Sequence, residues 1–133
     1  MELKKQSTKT FSGVINIGLE IGYESRHIDK GRVIRFLQDY QDKLIGEKNI
    51  NLSCSVTESE IVFSGQVEKH LRLSFINYPK FPMEEYELKK EIESLARVLM
   101  GTFHQNRIVI EYLDETVMLE KSEDIDPRIY KKS

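Results

Sequence analysis

The sequence predicts an α+β fold, a two-layer sandwich in which two helices pack on one face of a mixed sheet. Three observations predict it. Two helical stretches each carry a single apolar stripe, several short stretches alternate apolar and polar residues, and the order of these elements repeats along the chain. The repeat divides the chain into two β-α-β-β units, 13–66 and 70–120.

The repeat is one of apolar pattern rather than of residue identity. A shift of 56 residues carries Ile15 and Ile17 onto Leu71 and Leu73, and it needs no gap in the strands. Because the second unit follows the first with the same spacing, we expect equivalent strands and loops to have equivalent places in the fold.

The first unit opens with a strand in which Ile15, Ile17 and alternate residues beyond them share one face. The other face is bare, with Gly18 and Gly22. Asp29 is suited to cap a helix whose apolar stripe begins at Val33, and Gly46 is suited to end it. A strand from Ile50 to Val56 and a hairpin over 54–63, with its turn at 58–60, complete the unit.

The second unit begins with the alternating run from His70 to Ile76. Pro79 and Pro82 stop that strand and precede a helix with an apolar stripe. A strand at 107–113, a tight turn and a last strand at 116–120 follow. The stripe of this second helix consists of Leu88, Ile92, Leu95, Leu99 and Phe103.

Composition indicates one soluble globular domain, over 13–120, with flexible tails at 1–12 and 121–133. The chain has 133 residues, of which 39% are hydrophobic and 32% charged, and its formal net charge is −2. This charge predicts no nucleic-acid partner, and no apolar run predicts membrane insertion. The single cysteine, Cys54, is expected as a buried apolar residue. Because one cysteine allows no intrachain disulfide and the first residues lack the apolar core of a signal peptide, the cytoplasm is the expected compartment. The three histidines are scattered, so neither a metal nor a cofactor is expected.

The order of elements resembles that of the tautomerase superfamily, most closely from Leu71 to Leu119. The resemblance implies a trimer with pockets at subunit boundaries. It implies no catalytic residue, because that family uses an N-terminal proline on its first strand, and the prolines here are Pro79, Pro82 and Pro127. The ferredoxin-like fold, also built from two β-α-β halves, is the alternative.

The candidate site is a basic loop before the first helix together with its counterpart in the second unit. Positive side chains beside a helix N-terminus favour an anion such as phosphate or carboxylate, whereas the alternative is a solvated loop of paired surface charges. If the repeat places both loops on one edge, their side chains form a single rim. The residues of this predicted loop rim are Arg26, His27, Lys30, Arg32, Tyr78 and Lys80.

The sequence therefore predicts a homo-oligomeric, non-enzymatic domain that binds a small anionic ligand at the loop rim. No catalytic residue is assigned. One alternative is a tautomerase- or isomerase-type enzyme that uses a base other than proline. The other is a protein-interaction module that uses the exposed sheet face, where Val14, Val62, Ile76 and Val109 would lie.

Overall fold

The computed structural model describes residues 1–21 and 26–129 of the protein. Gly22, Tyr23, Glu24 and Ser25, which belong to the predicted first strand and basic loop, lie outside the described residues. Seven helices and strands follow one another in the described part of the chain: β1 (Ser12–Gly18), α1 (Lys30–Lys48), β2 (Ser55–Phe63), β3 (Gln66–Ile76), α2 (Glu85–Thr102), β4 (Arg107–Tyr112) and β5 (Thr116–Glu120).

The predicted two-layer α+β sandwich is confirmed, with both helices on one face of a five-stranded sheet. The strand order is β2-β3-β1-β4-β5, and each described pairing is antiparallel. The prediction of a mixed sheet is therefore wrong. The reason is that β3 lies between β1 and β2, so the two strands joined by α1 are not neighbours. This split β-α-β arrangement is the one found in the ferredoxin-like alternative, here with β5 added at the edge.

The register of β1 and β3 determines which loops can meet. Asn16 pairs with Arg72 near the middle of the two strands, so residues that the predicted repeat treats as equivalent lie on opposite sides of this pair. Ser12 pairs with Ile76 at one end and Gly18 with His70 at the other. The loop that follows β1 and the loop that follows β3 therefore leave the sheet at opposite ends.

The core lies between the sheet and the helices. Ile15 and Ile17 of β1 and Leu71 and Leu73 of β3 are completely buried, as the alternation predicts. The residues whose exposed fraction is 0% come from both helices and from the three central strands: Ile15, Ile17, Val33, Leu71, Leu73, Ile92, Ala96, Leu99 and Ile110. Burial of this apolar surface is the main stabilising contribution to the fold.

Helix α1 begins as predicted and ends later than predicted. The Asp29 side chain caps its first turn by accepting a hydrogen bond of 3.2 Å from the Gly31 N–H. Gly46, predicted to end the helix, lies inside it. The helix ends at Asn49, which has the left-handed conformation (φ 53°) and donates its N–H to the Ile45 carbonyl. Asparagine tolerates this conformation better than most residues, so it can replace glycine at a helix end.

The β2–β3 hairpin differs from the prediction in both strand bounds and turn. Residues 58–60, predicted as a turn, lie inside the continuous strand β2. The turn is Ser64-Gly65, because Phe63 pairs with Gln66 and Ser64 has a positive φ of 53°. Polar residues in β2 mimic a turn in the sequence because this edge strand is largely exposed to solvent.

The C-terminal segment, defined as residues 121–129, contacts the domain. The Lys121 N–H donates to the Asn106 carbonyl at 2.8 Å, and the Ser122 hydroxyl contacts the Asn106 side chain at 3.1 Å. Asp126 is only 3% exposed. The sequence predicts a flexible tail over 121–133, and the mobility of this segment stays a prediction. The position of the segment brings Asp126 and Arg128 to the face of the sheet opposite the helices.

Candidate functional site

The sheet face opposite the helices, called the open face below, carries a polar network over β3, β1 and β4. Arg72 Nη1 donates to Asn16 Oδ1 at 2.9 Å and lies 3.0 Å from Glu111 Oε2. The Asn16 amide also donates to Glu111 Oε2 at 3.2 Å. These three residues, called the Arg72 network, are brought together by the antiparallel register, which pairs Asn16 directly with Arg72.

An acidic cluster lies at the end of β1, where the C-terminal segment meets the sheet. It consists of Glu20, Glu68, Asp126 and Arg128. Arg128 Nη2 is 2.7 Å from Glu20 Oε2 and 2.6 Å from Asp126 Oδ2, and both carboxylates are almost completely buried. Hydrogen bonds from Arg128 lower the pKa of Asp126 and raise the pKa of the guanidinium itself. One cation thus neutralises part of the charge of two buried carboxylates.

Glu68 is the third carboxylate of the acidic cluster. Burial, together with the nearby charge of Glu20, raises its pKa from 4.5 to about 7, although Arg128 and a hydrogen bond from Gln66 oppose this change. The Gln66 amide donates to Glu68 Oε2 at 2.5 Å. Glu68 is therefore a carboxylate that exchanges its proton near neutral pH, which is typical of functional sites.

The absence of a side chain at Gly18 makes room for this carboxylate. A Cβ atom at position 18 would overlap Glu68 Oε1 and would come within 2.9 Å of Gln105 Oε1. Gln105 is buried, and its amide donates to the Glu20 carbonyl at 2.8 Å. The bare face of β1, visible in the sequence as Gly18, therefore reflects close approach of polar side chains from β3 and from the loop after α2.

The acidic cluster and the Arg72 network border one cavity of about 390 Å³ on the open face. Glu68 and Asp126 contribute to its lining from the cluster, and Arg72 and Glu111 contribute from the network. His70 lies between them on β3, and burial lowers its pKa, which favours the neutral imidazole at neutral pH. This volume is within the range of small-molecule sites.

Other depressions among the described residues have similar volumes but lack buried charges. One, of about 460 Å³, lies on the outer surface of α2 near Lys89 and Arg97. Another, of about 430 Å³, lies beside Tyr78 and Phe81. A third, of about 340 Å³, lies on β2 and β3 near Lys69. The open-face cavity combines concavity, buried carboxylates and a shifted pKa, so we take it as the candidate functional site.

The predicted loop-rim residues near β1 have other partners. Lys30 Nζ lies 3.5 Å from Glu58 Oε1, and the Arg32 guanidinium lies 5.6 Å from the centre of the Phe103 ring. His27 forms a backbone bridge with Glu20. The backbone carbonyl of Arg26 accepts a hydrogen bond of 3.0 Å from Ile21. These contacts hold residues 26–32 against the domain.

Tyr78 and Lys80 lie at the opposite end of the sheet, so the structure does not bring the predicted loop rim together. The Tyr78 ring packs against Phe81 with 6.1 Å between ring centres. Six residue steps of strand, about 20 Å, separate the two ends of β1. The premise of one shared edge is wrong because β1 and β3 are antiparallel neighbours, which sends equivalent loops in opposite directions.

The acidic cluster was not predicted from the sequence. Its one signal was the bare open face at Gly18, which indicated space without indicating what fills it. Glu20 and Glu68 are far apart in sequence, and nothing in the composition of 121–133 predicts that Asp126 and Arg128 reach them. Within 1–21 and 26–129, no group of histidine, cysteine, aspartate and glutamate side chains has a geometry suited to a metal ion.

No helix in the described part of the chain is long and apolar enough to cross a membrane. Burial raises the pKa of the half-buried Cys54 thiol to about 11, so it is expected to stay protonated. Neither feature adds a second candidate site.

Comparison with known proteins gives a likeness in structure and none in sequence. No protein-family model and no curated protein matches the chain. Among solved structures, a phage SAM lyase in complex with S-methyl-5'-thioadenosine is similar, with a TM-score of 0.65 and 13% identity, over 94% of this chain and 100% of that chain. A phage SAM lyase in its apo state is similar with a TM-score of 0.66 and 14% identity, over 93% and 99% of the two chains. At this identity the likeness shows a shared fold.

Proposed function

We propose that the protein is a small-ligand-binding enzyme whose open-face cavity takes a cationic S-adenosyl compound and releases S-methyl-5'-thioadenosine from it. The observation that carries the proposal is the acidic cluster, in which Glu68 adds a third carboxylate to a buried pair that shares one arginine. The ligand class is suggested by the similar fold of the SAM lyase that binds S-methyl-5'-thioadenosine.

The charge balance of the cluster favours a cation. Arg128 contacts Glu20 and Asp126, whereas the described hydrogen-bond donor to the Glu68 carboxylate is the neutral amide of Gln66. A sulfonium or ammonium group beside Glu68 would favour its ionised form and lower its pKa. An anion at the same place would meet carboxylates. The cavity therefore suits a ligand of opposite charge to the one that the sequence predicts for the loop rim.

The proposed reaction also changes the charge of the ligand. When S-methyl-5'-thioadenosine leaves a sulfonium compound, one carbon–sulfur bond breaks and its electron pair stays on sulfur, which becomes neutral. The departing carbon chain compensates by losing a proton from the carbon next to the broken bond, which forms a carbon–carbon double bond. The acidic cluster favours the cation over the neutral thioether, so it promotes binding of the substrate and release of the product. Glu68, with a pKa of about 7, is the cavity side chain best suited to exchange a proton with the ligand at neutral pH.

The test measures binding and turnover separately. Purified protein is titrated with S-adenosylmethionine by calorimetry, and S-methyl-5'-thioadenosine is quantified chromatographically after incubation. We expect both binding and product, and we expect Glu68→Gln to weaken binding by about tenfold because a charge-assisted contact is lost. Glu60→Gln, an exposed glutamate on the neighbouring strand β2, is the matched control and should behave as wild type.

Each outcome has a distinct meaning. Neither binding nor product at millimolar ligand would overturn the proposal. Binding without product would instead support the non-enzymatic ligand-binding domain predicted from the sequence. A separate assay that follows consumption of a keto–enol substrate tests the alternative of a tautomerase- or isomerase-type enzyme.

Homo-oligomerisation in the cytoplasm stays part of the proposal, and an exposed apolar hairpin supports the oligomer. At the tip of β2 and β3, Val62, Phe63 and Val67 are each at least half exposed. Large apolar side chains that meet on a projecting hairpin are typical of interaction surfaces. The molar mass measured by light scattering at micromolar protein tests this: a trimer is favoured by the tautomerase resemblance, and a monomer would contradict the oligomer.

A further inference from the structure

We infer that Arg72 is a specificity-determining residue that binds a carboxylate of the ligand, so that the open-face cavity recognises a cationic group at one end and a carboxylate at the other. This inference rests on the proposed function, because it concerns the same cavity. It concerns a separate part of the ligand. In S-adenosylmethionine the carboxylate belongs to the amino acid portion, which S-methyl-5'-thioadenosine lacks.

The position of Arg72 in the cavity suits this role. Arg72 and Glu68 lie on the same face of β3, four residues apart, which corresponds to about 13 Å between their Cα atoms. Both line the cavity. A ligand that contacts both charged side chains must carry its cationic group and its carboxylate at separate positions. A nucleoside that carries an amino acid chain on its sulfur meets this requirement.

The hydrogen bonds of Arg72 leave one edge of its guanidinium available. Among the described residues, its partners Asn16 and Glu111 both contact Nη1. The edge formed by Nη2 and Nε presents two parallel N–H groups, which is the geometry that binds a carboxylate through two hydrogen bonds. The Arg72 side chain is 39% exposed and contributes to the lining of the cavity.

Asn16 holds the guanidinium in place, while the charge of Glu111 opposes a ligand carboxylate. The Asn16 amide has two acceptors on β4, the Val109 carbonyl at 3.4 Å and Glu111 Oε2 at 3.2 Å, and these orient its oxygen toward Arg72. Glu111 is 45% exposed, so its ion pair with Arg72 contributes little in water. A ligand carboxylate on the Nη2–Nε edge leaves this pair in place, but the negative charge of Glu111 opposes a second carboxylate beside the same guanidinium.

A simple structural role for this ion pair gives a different expectation. If Arg72 and Glu111 only connect strands across the sheet, removing either one has a similar, small effect on stability and no selective effect on any ligand. If Arg72 binds a ligand carboxylate, the two substitutions have opposite effects on ligands that carry a carboxylate. The two explanations therefore differ in whether the two substitutions change the affinity for such a ligand in opposite directions.

The experiment compares two ligands that differ only in the carboxylate: S-adenosylmethionine and decarboxylated S-adenosylmethionine. We expect Arg72→Gln to weaken binding of the first by about 10- to 100-fold, the range for a lost charge-assisted hydrogen-bond pair. Binding of the second should change by less than about twofold. Arg97→Gln is the matched control, because Arg97 lies on the exposed surface of α2 in an ion pair with Glu93.

Glu111→Gln should change the affinity for S-adenosylmethionine in the opposite direction to Arg72→Gln. Because it removes the opposing negative charge, it should strengthen binding of S-adenosylmethionine by a few-fold and leave the decarboxylated compound unchanged. Arg72→Lys, which keeps the charge without the paired N–H groups, should give an intermediate loss. Thermal unfolding of each variant confirms that it is folded before its affinity is interpreted.

The two proposals fail in different ways. If wild-type protein binds neither compound, the proposed function and the role of Arg72 are both overturned. If wild-type protein binds both and Arg72→Gln weakens them equally, or weakens neither, only the role of Arg72 is overturned. A selective loss in Arg72→Gln, together with a gain in Glu111→Gln, supports it.

Discussion

The two faces of the sheet are built from alternate residues of the same strands and have opposite properties. On the helix side, Ile15 and Leu73 are fully buried among apolar side chains. On the open side, their neighbours Asn16 and Arg72 form a hydrogen-bonded network beside a cavity. A shift of one residue along a strand thus separates the core from the candidate site.

The difference indicates how the fold divides stability from function. The helix side stabilises the sheet by burying apolar surface, from which water is excluded. The open side keeps polar and charged groups partly desolvated, which costs stability and raises the pKa of Glu68 to about 7. Substitutions on the two faces should therefore change the free energy of unfolding by different amounts, in different directions and with a different dependence on pH.

The largest expected effect belongs to the helix side. Leu73→Ala removes a side chain with 0% exposure and leaves a cavity in the core, so we expect a loss of about 3 to 4 kcal/mol in the free energy of unfolding. Urea denaturation followed by circular dichroism measures it. Ile76→Ala, at the exposed end of the same strand, is the control and should cost less than about 1 kcal/mol. Equal losses for the two variants would contradict this assignment of the faces.

The second effect tests the buried charges of the open side. Arg128→Met keeps an apolar side chain but leaves Glu20 and Asp126 without their cation, so we expect a loss of about 2 to 3 kcal/mol at pH 7. Arg128 lowers the pKa of Asp126, so this contribution is present above the ordinary pKa of aspartate and is lost as pH falls through the lowered value. The difference between variant and wild type should therefore shrink in acid. An unchanged stability at pH 7 would show that the C-terminal segment does not depend on this contact.

The helix side could be predicted from the sequence because its signal is local. Alternation of apolar and polar residues along 14–19 and 70–76 assigns each side chain to a face without knowledge of any distant residue. The hairpin turn at Ser64-Gly65 was missed because the polar, exposed strand β2 has the composition of a turn. The alternation also could not distinguish parallel from antiparallel neighbours, which led to the incorrect loop rim.

The candidate site could not be predicted because it depends on contacts between distant residues. Arg128 meets Glu20 across more than a hundred residues, and no periodicity connects them. Asn16 and Arg72 are paired by a register that the sequence does not specify. Gly18 was the one local signal, since a glycine inside a strand often marks a close approach.

The third substitution, Glu68→Gln, is expected to raise the free energy of unfolding, whereas the first two lower it. Because the folded protein raises the pKa of Glu68 from 4.5 to about 7, it binds an extra proton between these values, and its stability falls as pH rises through that window. Glu68→Gln removes this cost. We expect the variant to be more stable than wild type by about 1 kcal/mol at pH 8, a value reduced for the partial exposure of the carboxylate, and nearly equal at pH 4.5. Thermal unfolding at the two pH values measures it, and a variant that is less stable at pH 8 would contradict the assigned environment of Glu68.

The smallest effect concerns the predicted loop rim, which lies outside the open-face cavity. Lys30→Ala removes a partly exposed ion pair with Glu58, so we expect less than about 0.5 kcal/mol in stability. Lys80→Ala, at the other end of the sheet, should be equally mild. If the open face is the site, both variants bind S-adenosylmethionine as wild type does. If Lys30→Ala instead weakens ligand binding tenfold while Glu68→Gln does not, the contrast between the two faces fails as an account of function, and the basic loop before α1 becomes the site to test.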